Sequence, residues 1–379
     1  MTRFLMVTVD GAGNLVPTLG LAARLSALGH DVRLLGHPSI HERCGVHGWR
    51  PVSFTKAAPF DSTWPVDPAE EIPNFCRAIF FDAGIGHDTL AELEREPADV
   101  LIVDCLAWGA GAAGEVAGIP TVALFHLAPS LFRAGPLVEL LEPALPMLHA
   151  MRAELGARPV ASLAEAHDTC ALALATLPEE FDVPASLPAQ YRYIGPILDG
   201  PALGGFEPTP PATVDPLVLV SFSTSFQDQQ GALQWAIDEL SGLPVQVVVT
   251  TGHSVAPADL DAAENTVVAR FLDHSELLSR ATAVVTHCGL GTTLNSLAHA
   301  VPMVCVPMGR DQQFNAAMVA RLGAGMTVEL GKRGGISRAV EHAIFDIRMQ
   351  SAADYFARVM GGYRGADAAV EALAELAAK

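Results

Sequence analysis

The chain has 379 residues, half of them apolar, and a formal charge of −19 at pH 7. That length supports large cores and two domains, while the acidity excludes partners that need a basic face, nucleic acid and anionic membranes among them. No apolar run is long enough to span a bilayer, and six scattered cysteines (Cys44, Cys76, Cys105, Cys170, Cys288, Cys305) lack a Cys-x-x-Cys pair, so a soluble cytoplasmic protein with buried, reduced thiols is expected.

Phe4 to Val9 is a continuous apolar run suited to a parallel strand buried on both faces. Gly11-Ala12-Gly13 breaks it, Pro17 stands where a helix can begin, and Leu21, Leu25 and Leu28 recur at helical spacing until Gly29. The strand Val32 to Leu35 completes one strand–loop–helix–strand unit. A second runs from Val100 to Val103, with Asp104 at its end, through a small-residue helix reaching Val116, to Ile119–Phe125. Repeated units of this kind build doubly wound parallel sheets, which bind ligands beyond the carboxyl ends of their strands. Asp10, Asn14, Asp104 and His126 all fall there. His37, His41 and His47 are loosely spaced on a predicted surface stretch and read as solvated. The segments Lys56–His87, which holds Phe81, and Ala134–Ala161 fit neither unit. Acceptor-contacting insertions and ordinary helical packing account for them equally well.

Pro, Gly and Asp crowd the stretch from Pro196 to Pro216, as in a linker. The pattern then restarts with Leu217–Phe222, a helix near Ala232–Leu240, and strands at Val245–Thr250, Thr266–Phe271, Ala283–Thr286 and Met303–Val306. The expected fold is therefore α/β, with two doubly wound domains facing across a cleft: residues 1–200, a linker over 201–215, and residues 216–351. An alanine-rich helical segment from about 352 to 379 is expected to return to the first domain.

One stretch carries the chemistry. The strand Val284–Thr286 runs into His287, then Gly289 and Gly291, and a helix starts at once. Glycines let backbone approach an anion, and first-turn amides point at it with a favourable dipole. His287 adds a donor aimed at the same place, so a diphosphate pocket is expected, with Asp311 and Gln312 close by to hold hydroxyls. A lone Gly11-x-Gly13 is a weak sign of a dinucleotide-binding oxidoreductase, because Val16 replaces the third glycine and Leu34-Leu35-Gly36 carries no acid.

Arg270–Leu278, then His287-Cys288-Gly289-Leu290-Gly291-Thr292-Thr293-Leu294-Asn295 and Asp311-Gln312, resemble the donor signature of family 1, GT-B-fold glycosyltransferases. The likeness is greatest to the bacterial branch that decorates antibiotics and other polyketides. Ser221–Ser225, with Ser223 and Thr224, resembles the loop after the first donor-domain strand, and Gly13–Leu21 resembles the first loop and helix of the acceptor domain. The resemblance implies an inverting, metal-independent transferase with no bound cofactor. It would move a deoxygenated sugar from a thymidine or uridine diphosphate to a small hydrophobic, polyketide-like acceptor, working as a monomer or homodimer. His287 and the amides from Gly289 to Thr293 would bind the diphosphate, aided by Thr292 and Thr293. Arg270 and Phe271 would frame the base. Asp311 and Gln312 would grip sugar hydroxyls, unless Asp311 only caps the next helix. Many members that use UDP carry an acid where this chain has Asn295, so dTDP is favoured.

The acceptor side departs from the family pattern. A histidine or aspartate usually follows the glycine of the first loop as general base, but Gly13 is followed by Asn14, and an amide cannot take that proton at neutral pH. Asp104 matches the carboxylate that orients the missing histidine. Asp10, Asp104 and His126 are the substitute bases, with Gly13, Asn14, His126 and Phe81 as acceptor contacts. An acceptor that needs little base, or a catalytically silent nucleotide-binding auxiliary protein, are the other readings.

Overall fold

The computed structural model describes residues 1–11, 13–44, 48–183, 186–200, 205–211 and 213–377. The chain divides into two compact units. Unit 1 holds Met1–Ser62, Asp67–Leu203 and Tyr363–Lys379, and unit 2 holds Thr63–Val66 and Gly204–Gly362.

Unit 1 is built on a parallel sheet of β1 (Arg3–Val7), β2 (Asp31–Gly36), β3 (Arg50–Ser53), β4 (Val100–Asp104), β5 (Thr121–Phe125), β6 (Leu172–Ala175) and β7 (Tyr191–Tyr193). Their spatial order is β3-β2-β1-β4-β5-β6-β7. β4 and β5 are buried along their whole length, as strands covered by helices on both faces must be. Phe4, Met6, Leu19, Leu25, Ile102, Leu124, Ala369 and Leu373 belong to one core cluster, each large side chain contributing about 1.5–3 kcal/mol by leaving water. β1 ends at Val7, two residues earlier than its apolar run suggests, and the helix Leu15–Ala27 starts before Pro17. Gly29, at φ +80, ends it as expected.

Unit 2 repeats the plan with β8 (Leu217–Ser221), β9 (Gln246–Thr250), β10 (Thr266–Ala269), β11 (Ala281–Thr286), β12 (Met303–Cys305) and β13 (Gly325–Thr327), all parallel. The order is β10-β9-β8-β11-β12-β13. In each sheet the strand order reverses beside the first strand, between β1 and β4 and between β8 and β11. Such switch points open a crevice at the carboxyl ends of the strands.

The chain re-enters unit 1 at Tyr363. The helix Ile347–Met360 is one continuous element that packs on the helix Leu290–Ala298 of unit 2. A separate helix, Ala366–Ala377, then lies along Leu15–Ala27, where Arg24 Nε donates to Asp367 Oδ1 at 2.6 Å. Gly195 permits the return: at φ +81, a Cβ there would sit 2.2 Å from Tyr363 Cβ. No helix among the described residues is long and apolar enough to cross a membrane. Cys76, Cys105, Cys170, Cys288 and Cys305 are free and buried, as expected, and the side chain of Cys44 lies outside the described residues, as do linker positions 201–204 and 212.

Candidate active site

In unit 1 the switch point gathers Asn14, which follows β1, and Asp104, which ends β4. Asp104 lies opposite Leu124 of β5, so His126, two residues farther on, comes back over the carboxylate. Asn14 Nδ2 donates to Asp104 Oδ2 at 2.5 Å, to Val9 O at 2.8 Å and to Thr8 Oγ1 at 3.1 Å. Asp104 Oδ1 accepts from Leu106 N and from His126 Nε2, both at 2.9 Å. A carboxylate can only accept, which fixes the Asn14 amide with its NH2 inward and leaves its Oδ1 buried without a partner. Asp104 therefore has an imidazole client after all, supplied by β5 and not by the first loop.

Burial opposes ionisation of Asp104, yet the facing His126, with Leu106 N and Asn14, holds its carboxyl below the usual range. Burial likewise disfavours an imidazolium at His126, but Cys105 and the Asp104 carboxylate outweigh it and raise its pKa well above the ordinary value. Asp104, Cys105 and His126 bring three ligand-type atoms within 4.8 Å of one another. Burial raises the Cys105 thiol's pKa, and the carboxylate already contacts the imidazole directly. An ion pair describes the cluster.

Asp10 is fully buried, its carboxylate accepting from Ser39 Oγ at 2.5 Å and Ser62 Oγ at 3.2 Å. Gly13 is exposed. His37, expected in solvent, is 3% exposed because Phe54 and Phe60 cover it, with ring centroids at 5.1 and 6.1 Å. His41 is half-buried, its Nε2 2.9 Å from Val52 O, and His47 lies outside the described residues. Phe81 lines a cavity of about 500 Å³ with Lys56, Arg77, Met147 and Met151, so the two unmatched segments meet there. Behind it Phe80, Phe81, Trp108 and Phe132 form a ring cluster reaching His167. His167, which no motif singles out, meets Cys105 O with its imidazole at 2.7 Å, and burial lowers its pKa to about 4.

In unit 2 the switch point holds Ser223, after β8, and His287, after β11. Cys288 adopts φ +66 at the turn into the helix Leu290–Ala298. The leading amides of that helix have no intrahelical acceptor. Gly289 lies against the imidazole: a Cβ there would be 2.7 Å from His287 Nε2. Gly289→Ala is therefore expected to push the ring aside and weaken nucleotide binding about tenfold, by the loss of one donor to a charged group. Calorimetry checks this, and unchanged affinity would mean that the ring does not touch the ligand. Burial and then the charge of Arg310 depress the His287 pKa to about 3.

Gly291 is exposed and Thr292 partly so, whereas Thr293 is fully buried. Asn295 is half-buried, with Oδ1 unpartnered. Ser223 Oγ bonds Ser225 Oγ at 2.9 Å, and Thr224 is exposed. Arg270 is exposed, its amide donating to Glu207 Oε1 at 2.6 Å, and the ring of Phe271 lies 4.5 Å from that of His253. Asp311 stands at the N-cap position, just before the helix Gln312–Arg321, but its carboxylate forms no cap bond to the backbone. It accepts from Asn315 Nδ2 at 2.7 Å, and the same amide reaches Cys288 O at 2.9 Å. Asn315, missed in the sequence, so ties the Asp311 turn to the His287 turn. Gln312 is 2% exposed; its Oε1 accepts from Met308 N and Gly309 N and its Nε2 donates to Gln227.

The family of the erythromycin biosynthesis protein CIII-like C-terminal domain matches residues 234–359. Over 98% of both chains the sequence is 30% identical to 4'-demethylrebeccamycin synthase of Lentzea aerocolonigenes. In fold it is similar to the calicheamicin glycosyltransferase CalG4, with a TM-score of 0.81 and 22% identity over 99% of this chain and 98% of that one. It is also similar to the glycosyltransferase VinC, solved in complex with dTDP, with a TM-score of 0.75 and 19% identity over 98% of each chain.

Proposed function

The chain belongs to the GT-B-fold glycosyltransferases of antibiotic and other natural-product biosynthesis, and on that premise we propose that it inverts the anomeric centre of a dTDP-activated, deoxygenated sugar as it transfers that sugar to a hydrophobic, polyketide-like acceptor. The observation that carries the donor half is the neutral, buried His287 beside the helix Leu290–Ala298. First-turn amides stabilise a diphosphate leaving group without a metal, and the single N–H of a neutral His287 joins them when it turns from the Ser221 carbonyl to the ligand. Both ends of the Gln312 amide are already engaged, which leaves fewer polar groups for sugar hydroxyls. A buried hydroxyl without a partner costs binding, and a sugar lacking some of them suits such a pocket. Asp311 is the group that would hold a remaining hydroxyl. Asn295 in the place of an acid, together with the dTDP held by VinC, supports dTDP over UDP.

For the acceptor half, the reading rests on the Asp104–His126 pair. The acceptor's nucleophilic atom attacks the anomeric carbon as the bond to the diphosphate oxygen breaks, and that electron pair leaves with the nucleotide. With Nε2–H directed at Asp104, a neutral His126 has its lone pair on Nδ1; the Cys105 side chain also bonds this ring, and the acceptor must displace it to give its proton to Nδ1. The cavity beside Phe81, near 500 Å³, has the size of a small-molecule site; Phe81, Met147 and Met151 give it an apolar part, and Lys56, Arg77, Asp82, His87 and Glu154 a charged one.

Because Asp104 raises the His126 pKa, the base is protonated at low pH and freed only as the pH rises. Turnover is expected to climb with pH through an inflection above the ordinary histidine value of about 6.5. His126→Gln should abolish that inflection and lower the plateau by about a hundredfold. An unchanged profile in the variant would remove His126 from proton transfer. The donor assignment is tested by calorimetry: dTDP should bind more tightly than UDP, and failure of both to bind at millimolar concentration overturns it. Detection by mass of a glycosylated product tests the transfer itself.

A further inference from the structure

Between Val284 and Gln313 the chain carries one lysine or arginine, Arg310. It follows β12, yet its guanidinium donates from Nη1 to Ser225 Oγ at 2.6 Å and from Nη2 to Phe226 O at 3.1 Å, both in the loop after β8. β8 and β12 flank β11 on opposite sides. The side chain must therefore pass over the carboxyl end of β11, where His287 and the leading turn of the helix Leu290–Ala298 stand. Arg310 also adopts φ +55, a left-handed conformation that costs a side-chain-bearing residue strain and that glycine would take freely. A backbone held so against its preference is a mark of functional sites, and the guanidinium is what this one delivers.

We propose that Arg310 is the cation of the donor site, held over the end of β11 to bind the diphosphate and to stabilise the departing nucleotide. The inference rests on the donor reading above. Charge favours it. The imidazole of His287 is neutral at any pH near neutrality, partly because Arg310 repels its proton. The helix amides offer partial charge only. A diphosphate ester carries two negative charges, and a guanidinium matches phosphate geometry through paired N–H donors. The bonds to Ser225 and Phe226 pre-position the group, so little side-chain freedom is lost when the ligand arrives.

The test compares the whole protein with its Arg310→Gly, Arg310→Gln and Arg310→Lys variants. Affinities for dTDP and UDP are measured by calorimetry, and those for thymidine and uridine by ligand-observed NMR. Glycine relieves the strained backbone while deleting the cation, so Arg310→Gly should fold with a melting temperature close to the parent's. Arg310→Gly and Arg310→Gln are expected to lose about tenfold or more in diphosphate affinity with nucleoside affinity unchanged, and Arg310→Lys to keep part of it. Added salt should weaken the parent more than Arg310→Gly. Equal losses for nucleoside and diphosphate would mean that Arg310 only braces the two loops, and no loss for either would also overturn the assignment. Failure of the parent to bind dTDP and UDP would instead overturn the donor reading.

Discussion

Asp104→Asn is expected to lower turnover by at least about a hundredfold while leaving nucleotide affinity unchanged. The carboxylate takes hydrogen bonds from Asn14 Nδ2, Leu106 N and His126 Nε2 at once. An asparagine fits the space but presents one oxygen and one NH2. Whichever way it turns, an N–H of Asn14 or His126 faces another N–H, and a buried donor left unpaired costs about 1–3 kcal/mol. His126 also loses the anion that sustains its proton against burial. Its pKa should fall, so the rise of rate with pH should move to lower pH as the plateau drops, because a less basic imidazole is a poorer proton acceptor. A structural role for Asp104 would lower activity without that shift. Steady-state rates across pH, with calorimetry on dTDP in parallel, distinguish the two. A loss below about tenfold would sink the base assignment.

The parts of the protein that were legible in the sequence are those specified locally. Phe4–Val7, Val100–Val103 and Leu217–Ser221 are apolar runs that suit only a sheet covered on both faces, and they are strands. His287 with its glycines is a contiguous turn, so its place at the end of β11 could be read from neighbours in the chain. β3, β7 and β13 gave no such signal. β3 is short and largely solvent-facing, and β7 and β13 span only three residues each; each is a strand because an adjacent strand pairs with it. Pairings across the sheet were equally hidden. His126 meets Asp104 only because β4 and β5 are in register, and Arg310 meets Ser225 across 85 positions of sequence. His37 is buried by Phe54, which directly follows β3, and by Phe60, from the unmatched segment Lys56–His87, and neither approach is visible from its neighbours in the chain. Burial of a single polar residue depends on what covers it, and that is a property of the fold.

The same distinction decides what can be asked of His287. His287→Ala is expected to cut turnover about a hundredfold to a thousandfold, the usual cost of removing one donor aimed at charge that develops in the transition state. Nucleotide affinity should fall less, about tenfold, since charge on the diphosphate grows as the sugar leaves. His287→Gln keeps an N–H donor and should recover part of both losses. The pH dependence separates this from the simpler view that His287 binds the diphosphate as an imidazolium. An imidazolium of ordinary pKa would make nucleotide-sugar affinity rise as pH falls below about 6.5. Burial and the neighbouring Arg310 hold His287 near 3 instead, so in the free protein its ring is neutral from pH 8 down to pH 5. A nucleotide sugar, whose diphosphate is esterified at both ends and does not titrate in this range, should bind the parent with no step attributable to His287. If affinity instead increases toward pH 5 in the parent and not in His287→Ala, the imidazole works as a cation, and Arg310 is not the only positive charge the donor meets.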